Sequence, residues 1–301
     1  EAITVPNTWV STAFAASPIE KFQQLDQLLP SPNAQRNAAG APGPAYWQNR
    51  ADYTIEATLD EKTHRLSGRG TITYKNYSPD TLTYLWLQLD PNLFAHNSDS
   101  RTVERPPTDL TKVPYGLVEE LLLQETYSSN LVVADLKDAA GRALAHTIVK
   151  TMMRVDLPAP LPPGGTFAFS LSWHFHLNHV KAGHDRTAYE IFEKDGNALY
   201  TVAQWFPRLA AYTDYTGWQH KQYLGTGEFT LEFGDYDVRL TVPEDHVVAS
   251  TGSLQNPDAV LTATQRTRLQ QANTAKSPVF IVTPNEARAN ESHKPSGTRT
   301  W

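Results

Sequence analysis

The sequence predicts an all-β fold: a saddle-like sandwich of antiparallel sheets with a short N-terminal helix and one later helix. Three observations predict it. Beyond Ala51, apolar and polar residues alternate with a period of two through many short stretches, the pattern of strands with one buried face. Turn residues separate these stretches at regular intervals. No repeat period and no low-complexity tract interrupts them. With 301 residues, the chain is long enough for one large all-β domain or two smaller ones.

Residues 1–45 are an extension. Ser17 caps an amphipathic helix over Pro18–Leu29, with Phe22, Leu25, Leu28 and Leu29 on one face, closed by Pro30 and Pro32. Ala38–Pro44 is a Gly/Pro/Ala linker. Residues 46–285 form the β domain. Tyr53, Ile55, Ala57 and Leu59 alternate with polar residues, and Leu66, Gly68, Gly70, Ile72 and Tyr74 follow beyond Asp60–Thr63, which makes a hairpin with one buried face. Thr81–Leu89 is a third strand. Asn97–Pro114 is polar and holds three prolines, so a long loop is expected. Leu131–Leu136 and Ala143–Val149 flank the turn Asp138–Gly141. Met152–Leu157 and Thr166–His176 flank Pro158–Gly165. Further strands are expected at Leu199–Val202, Phe229–Val242, Val247–Leu254 and Val279–Val282, and a helix over Asp258–Ala275 marked by Leu261 and Leu269. Residues 286–301 are polar and turn-rich and read as a linker.

Composition narrows the function classes. Hydrophobic residues make up 40% and charged residues 19%, ordinary for a globular chain. The net charge is −6 with no run of Lys or Arg, which argues against nucleic acid and anionic membranes as partners. Cysteine is absent, so disulfides, thiol catalysis and thiolate metal sites are excluded. No stretch approaches the roughly 18 apolar residues of a membrane span, and Val10–Ala16 is too short and polar for a signal sequence. The expected location is periplasmic or secreted rather than cytoplasmic.

Several constellations have two readings. His174 and His176 share one strand face and, with His179 and His184, offer imidazoles for zinc or nickel; the alternative is a polar strand face that holds histidines, and it is favoured because the remaining ligands lack defined geometry. Glu228, Glu232, Asp235 and Asp237 include a potential carboxylate pair, but Glu228 and Glu232 are expected on a solvated face. Trp205, Tyr212, Tyr215, Trp218 and Tyr223 form an aromatic segment, either an exposed platform for sugars or peptides or a seal between sheets or domains. Burial is the favoured reading. Neither Gly-x-Ser-x-Gly nor a phosphate-binding Gly-rich loop occurs.

The segment Ala203-Gln204-Trp205-Phe206-Pro207-Arg208-Leu209-Ala210 and the later Tyr215-Thr216-Gly217-Trp218 resemble the N-terminal domain of M1-family zinc metallopeptidases, the aminopeptidase N-like gluzincins. Tyr46–Tyr53, Asp80–Leu89 and Val238–Gly252 carry the same resemblance in the same order. It implies a saddle-shaped β domain packed on a thermolysin-like catalytic domain. It also implies that Gln204 helps recognise the free α-amine of a substrate; the alternative is that Gln204 hydrogen-bonds the backbone of its own turn. The family's chemistry needs His-Glu-x-x-His and a further Glu around zinc. None of the ten histidines here is followed by Glu, and Gly-x-Met-Glu-Asn is absent. No catalytic residue and no cofactor is therefore expected in this chain. The resemblance places zinc in a missing C-terminal catalytic domain, which would be the chain's partner and act on peptides, and the exposed face left behind should be large enough to drive self-association. Two alternatives are a stand-alone β-sandwich module binding carbohydrate or peptide, and an inactive peptidase relative retained for protein contacts.

Overall fold

The computed structural model describes residues 32–103, 111–126, 129–182, 187–225, 230–294 and 296–301. The helix expected over Pro18–Leu29 lies outside them, as do His184 and Glu228. The chain divides into two units, Glu1–Tyr46 and Trp47–Trp301. In the first, the described stretch turns back on itself. The Asn37 side chain accepts from the backbone of Ala39 and Ala41 at 2.9 and 3.0 Å, and Arg36 bridges Pro42.

The second unit is β-rich. Its first seven strands are β1 (Arg50–Asp60), β2 (Arg65–Lys75), β3 (Leu82–Gln88), β4 (Val132–Asp138), β5 (His146–Val149), β6 (Met152–Leu161) and β7 (Thr166–His176). Each overlaps a strand expected from the alternation. The short strands β8 (Asn178–His179), β9 (Thr187–Ile191), β10 (Ala198–Val202), β11 (Arg208–Leu209), β12 (Tyr212–Thr213) and β13 (Gly217–Trp218) follow. β14 (Tyr236–Pro243) and β15 (Thr298–Thr300) complete the set. A six-stranded sheet has the order β15-β14-β1-β2-β7-β4, and a four-stranded sheet the order β11-β3-β6-β5. Their apolar faces share one core: Tyr53, Ile55, Ile72, Phe169 and Phe175 from the larger sheet, Leu85, Leu87, Met153 and Val155 from the smaller. Each such side chain, taken from water, contributes about 1.5–3 kcal/mol.

The sheets are not purely antiparallel. β14 pairs with β1 in parallel, Ile55 opposite Val238, and β8 with β9 likewise. β14 follows β1 only after a long excursion, so no hairpin fixes its direction.

Helices are more numerous than expected. α1 (Asp99–Val103) lies inside the expected loop, and α2 (Tyr115–Thr126) follows it. The helix expected over Asp258–Ala275 is two helices, α3 (Pro257–Val260) and α4 (Ala263–Ala272), and α5 (Pro284–Asn290) comes later. The break at Thr262 is a capping box: its side chain accepts from Gln265 N, and Gln265 reaches back to Thr262 N. Thr283 and Glu286 do the same for α5.

The strands expected at Val247–Leu254 and Val279–Val282 do not form. β14 ends at Pro243, and its outer edge is already occupied by β15, so Val247–Leu254 has no ladder to join. The 286–301 segment, expected as a linker, holds the end of α5 and all of β15. Trp301 exchanges both backbone hydrogen bonds with Leu240, at 2.8 and 2.9 Å.

Candidate functional site

Gln204 lies in the turn that links β10 to β11. Its backbone is left-handed, with φ 55°, a conformation costing a non-glycine residue about 1–2 kcal/mol. The flanks hold it there. Thr187 Oγ1 donates to Ala203 O at 2.6 Å, and Trp173 Nε1 donates to Trp205 O at 3.0 Å. The Phe206 ring meets Tyr53 edge-on at 5.6 Å, and Leu209 N donates to the Tyr53 hydroxyl at 2.9 Å. The Trp173 indole reaches the turn because Gly68, directly opposite it on β2, has no side chain; a Cβ there would lie 2.4 Å from the ring. A strand glycine that admits a neighbour's ring thus positions the turn. The Gln204 side chain is half-buried, and its amide meets no partner among the described residues.

The rest of the segment is packed inward. Trp218 is buried and meets Tyr212 edge-on at 5.1 Å, while Trp205 faces Trp173 at 6.2 Å. Trp205 and Tyr212 are partly buried against this chain's own core, and Tyr223 is half-buried. Only Tyr215 of the segment's rings is largely exposed. Beyond the turn, Arg208 donates to Asp90 Oδ2 at 2.6 and 2.9 Å. Burial raises the Asp90 carboxyl and the guanidinium opposes that rise.

Glu232, expected on a solvated face, is buried instead. Its Oε1 accepts from Tyr212 N at 2.8 Å, and desolvation pushes its carboxyl up to about 7. The extended alternation expected from Phe229 breaks before β14. There Leu231 bridges Ala210 and Phe233 bridges Arg50, which turns Glu232 inward. Asp235 pairs with Arg50 at 2.5 Å and Asp237 with Arg239 at 3.8 Å, so neither forms a carboxylate pair with it.

The histidines do not assemble a metal centre among the described residues. His174 and His176 share the open face of β7, but Thr63 O lies 3.0 Å from His176 Nδ1, and His179 Nδ1 accepts from Lys181 N at 3.1 Å. The described residues whose ligand atoms do converge are Glu61, Asp245 and His246, all within 4.8 Å of one another. An Asp245–His246 contact of 3.0 Å already accounts for two of the three. These residues come from the β1–β2 turn and the loop after β14, and no spacing in the sequence announces them.

No family model matches this chain, and no curated protein matches it. Among solved structures it is similar to the M1 zinc metallopeptidase of Deinococcus radiodurans, with TM-score 0.36 and 15% identity over 71% of this chain and 37% of that one. A mutant of that enzyme bound to a Tyr-Ser-Ala substrate gives TM-score 0.35 at 15% identity over the same shares. A two-domain M1 zinc metallopeptidase mutant bound to L-tryptophan gives 0.36 at 16%, over 71% and 38%. The chain therefore spans well under half the length of these structures.

Proposed function

We propose that this chain is a non-catalytic, saddle-like β domain of an M1-like zinc aminopeptidase. It lines one side of the substrate cleft and offers the Gln204 amide to the free α-amine of a short peptide. The supporting observation is the left-handed Gln204, whose amide is unengaged. His64, Asp135 and Lys150 share this backbone conformation, so the reading rests on the unengaged amide together with the strain; an amide oxygen is a suitable acceptor for an ammonium group. Zinc, its activated water and the general base belong to a catalytic domain in the same polypeptide, because this chain's histidines lack the required spacing. No bond-breaking step is assigned to residues 1–301.

The rival reading, a binding module for carbohydrate or peptide, needs an aromatic platform. Trp218 is buried and Trp205 is partly buried against the core, while Tyr215 is largely exposed, so two of its rings are not free for stacking.

The first test is the coding sequence past Trp301, where His-Glu-x-x-His followed by a further Glu is expected. A stop codon there, or a following domain without those ligands, would sink the proposal. The second is kinetic, on the whole protein. Gln204→Ala should raise KM for peptides with a free amine by about tenfold, one charge-assisted hydrogen bond, with kcat changing less. An unchanged KM would remove Gln204 from substrate recognition.

A further inference from the structure

The open face of the six-stranded sheet carries two hollows of different electrical character. One, of about 310 Å³, lies beside Asp52, Asp235 and Asp237, and each carboxylate there has a cationic partner: Arg50 pairs with Asp52 and Asp235, Lys75 with Asp52 and Arg239 with Asp237. The other, of about 690 Å³, runs across β15, β14, β1, β2 and β7 and holds Arg65, Arg69 and Arg239 against a single carboxylate, Glu56. With Asp237 also pairing Arg239 at 3.8 Å, the groove keeps a local excess of one positive charge, centred on Arg65, on a chain of net charge −6, and such a charge draws anions.

Arg69 and Arg239 both donate to Glu56, at 2.5 and 3.4 Å. Arg65 forms no ion pair among the described residues. Its partner by position is Asp60, directly across the hairpin. That carboxylate is turned away: Oδ2 accepts from Thr63 Oγ1 at 2.7 Å and Oδ1 from Lys62 N at 3.0 Å, closing the β1–β2 turn. Arg65 Nε is covered and has no acceptor. A covered guanidinium N–H without a partner is costly, and an absent ion is among its common explanations. The strand register sets Ser67 between Thr58 and His174 on the same face, so hydroxyl donors line the floor beside the free guanidinium. Burial, with Arg65 and His176 nearby, lowers the His174 pKa.

We propose that this groove is an oxyanion-binding site centred on Arg65, with Ser67 and His174 as further contacts and Arg69 and Arg239 supplying long-range attraction. The ligand is a phosphate or carboxylate group, bound by the fork of the guanidinium. The site is separate from the Gln204 turn, and its test does not depend on peptidase activity.

The experiment follows the His174 imidazole resonances by NMR during titration with sodium phosphate, and separately with sodium acetate, against sodium chloride at matched ionic strength. A saturable shift is expected, together with a rise in the His174 pKa, since a bound anion favours imidazolium. A response to phosphate alone identifies a tetrahedral oxyanion; a response to both identifies carboxylate-bearing ligands as well. Arg65→Gln should weaken binding by about tenfold or more. Ser67→Asp, which supplies an internal carboxylate beside Arg65, should abolish it even if Arg65→Gln folds poorly. No response beyond the chloride control, or undiminished binding in both variants, overturns the proposal.

Discussion

At the scale of single residues, Gln204, one of four described non-glycine residues with positive φ, and Glu232 each offer a test. Gln204 occupies a conformation suited to glycine. Replacing it with glycine should release the strain and raise unfolding free energy by about 1 kcal/mol, measured by urea denaturation. If Gln204 serves recognition, the same variant should lose affinity for free-amine peptides in the whole protein while gaining stability; a loss of both would make the residue structural. Glu232 offers a pH test. Its folded pKa, about 7, lies above the value of an unfolded glutamate, so the native state holds the proton more tightly. The stability this contributes is full below the unfolded pKa, falls as pH rises from about 4.5 through 7, and is lost above that. The loss is at most about 3 kcal/mol. Glu232→Gln keeps an acceptor for Tyr212 N and should flatten the decline. An equally steep slope in Glu232→Gln would place the titrating group elsewhere.

At the scale of elements, the contact between Gly68 and Trp173 shows how a strand position controls a distant turn. An alanine at 68 would put its Cβ 2.4–2.5 Å from the indole. That ring is held by its bond to Trp205 O, so it cannot retreat freely. Gly68→Ala should cost about 1–3 kcal/mol, and the emission of Trp205 should change with it; unchanged stability and emission would mean that the indole has room to move. The strands β1 to β7 were legible because each carries its own alternation, and the buried rows of β1, β2 and β7 follow it. Val247–Leu254 has strand composition but no edge to pair with, and sheet membership is decided by partners rather than by propensity. The break at Thr262 and the start of α5 at Thr283 did carry a local signal, Thr-x-x-Gln and Thr-x-x-Glu; the first was obscured by the apolar marks Leu261 and Leu269. The candidate sites were least legible. Gln204 was singled out by resemblance, whereas its strain depends on Thr187 and Trp173 from other strands. The Arg65 groove depends on Asp60 being used by a turn, and Glu232 points inward because its segment bridges Arg50 and Ala210.

At the scale of the whole molecule, the larger sheet joins the two ends of its unit. β1, near the start, is covered by β14 in parallel, and β14 is covered in turn by β15. Without β15, the outer edge of β14 would present unpaired N–H and C=O groups, a template for pairing between chains. Its attachment is substantial: two backbone bonds between Leu240 and Trp301, one from Glu244 N to Gly297 O, and a 3.0 Å bond from Arg299 to Val260 O that ties the strand to α3. Trp301 also packs on the shared core. Deleting residues 297–301 from this chain should therefore cost about 3–5 kcal/mol, from several hydrogen bonds near 1 kcal/mol each and part of a tryptophan's burial. The exposed edge should also produce concentration-dependent association in sedimentation velocity, stronger than any shown by the parent. The same deletion removes Thr300 from the rim of the Arg65 groove but leaves Arg65, Ser67 and His174 in place, so anion binding should survive in the fraction that remains folded. A shortened chain that melts at the parental temperature and sediments as the parent does would show that β14 is a self-sufficient edge.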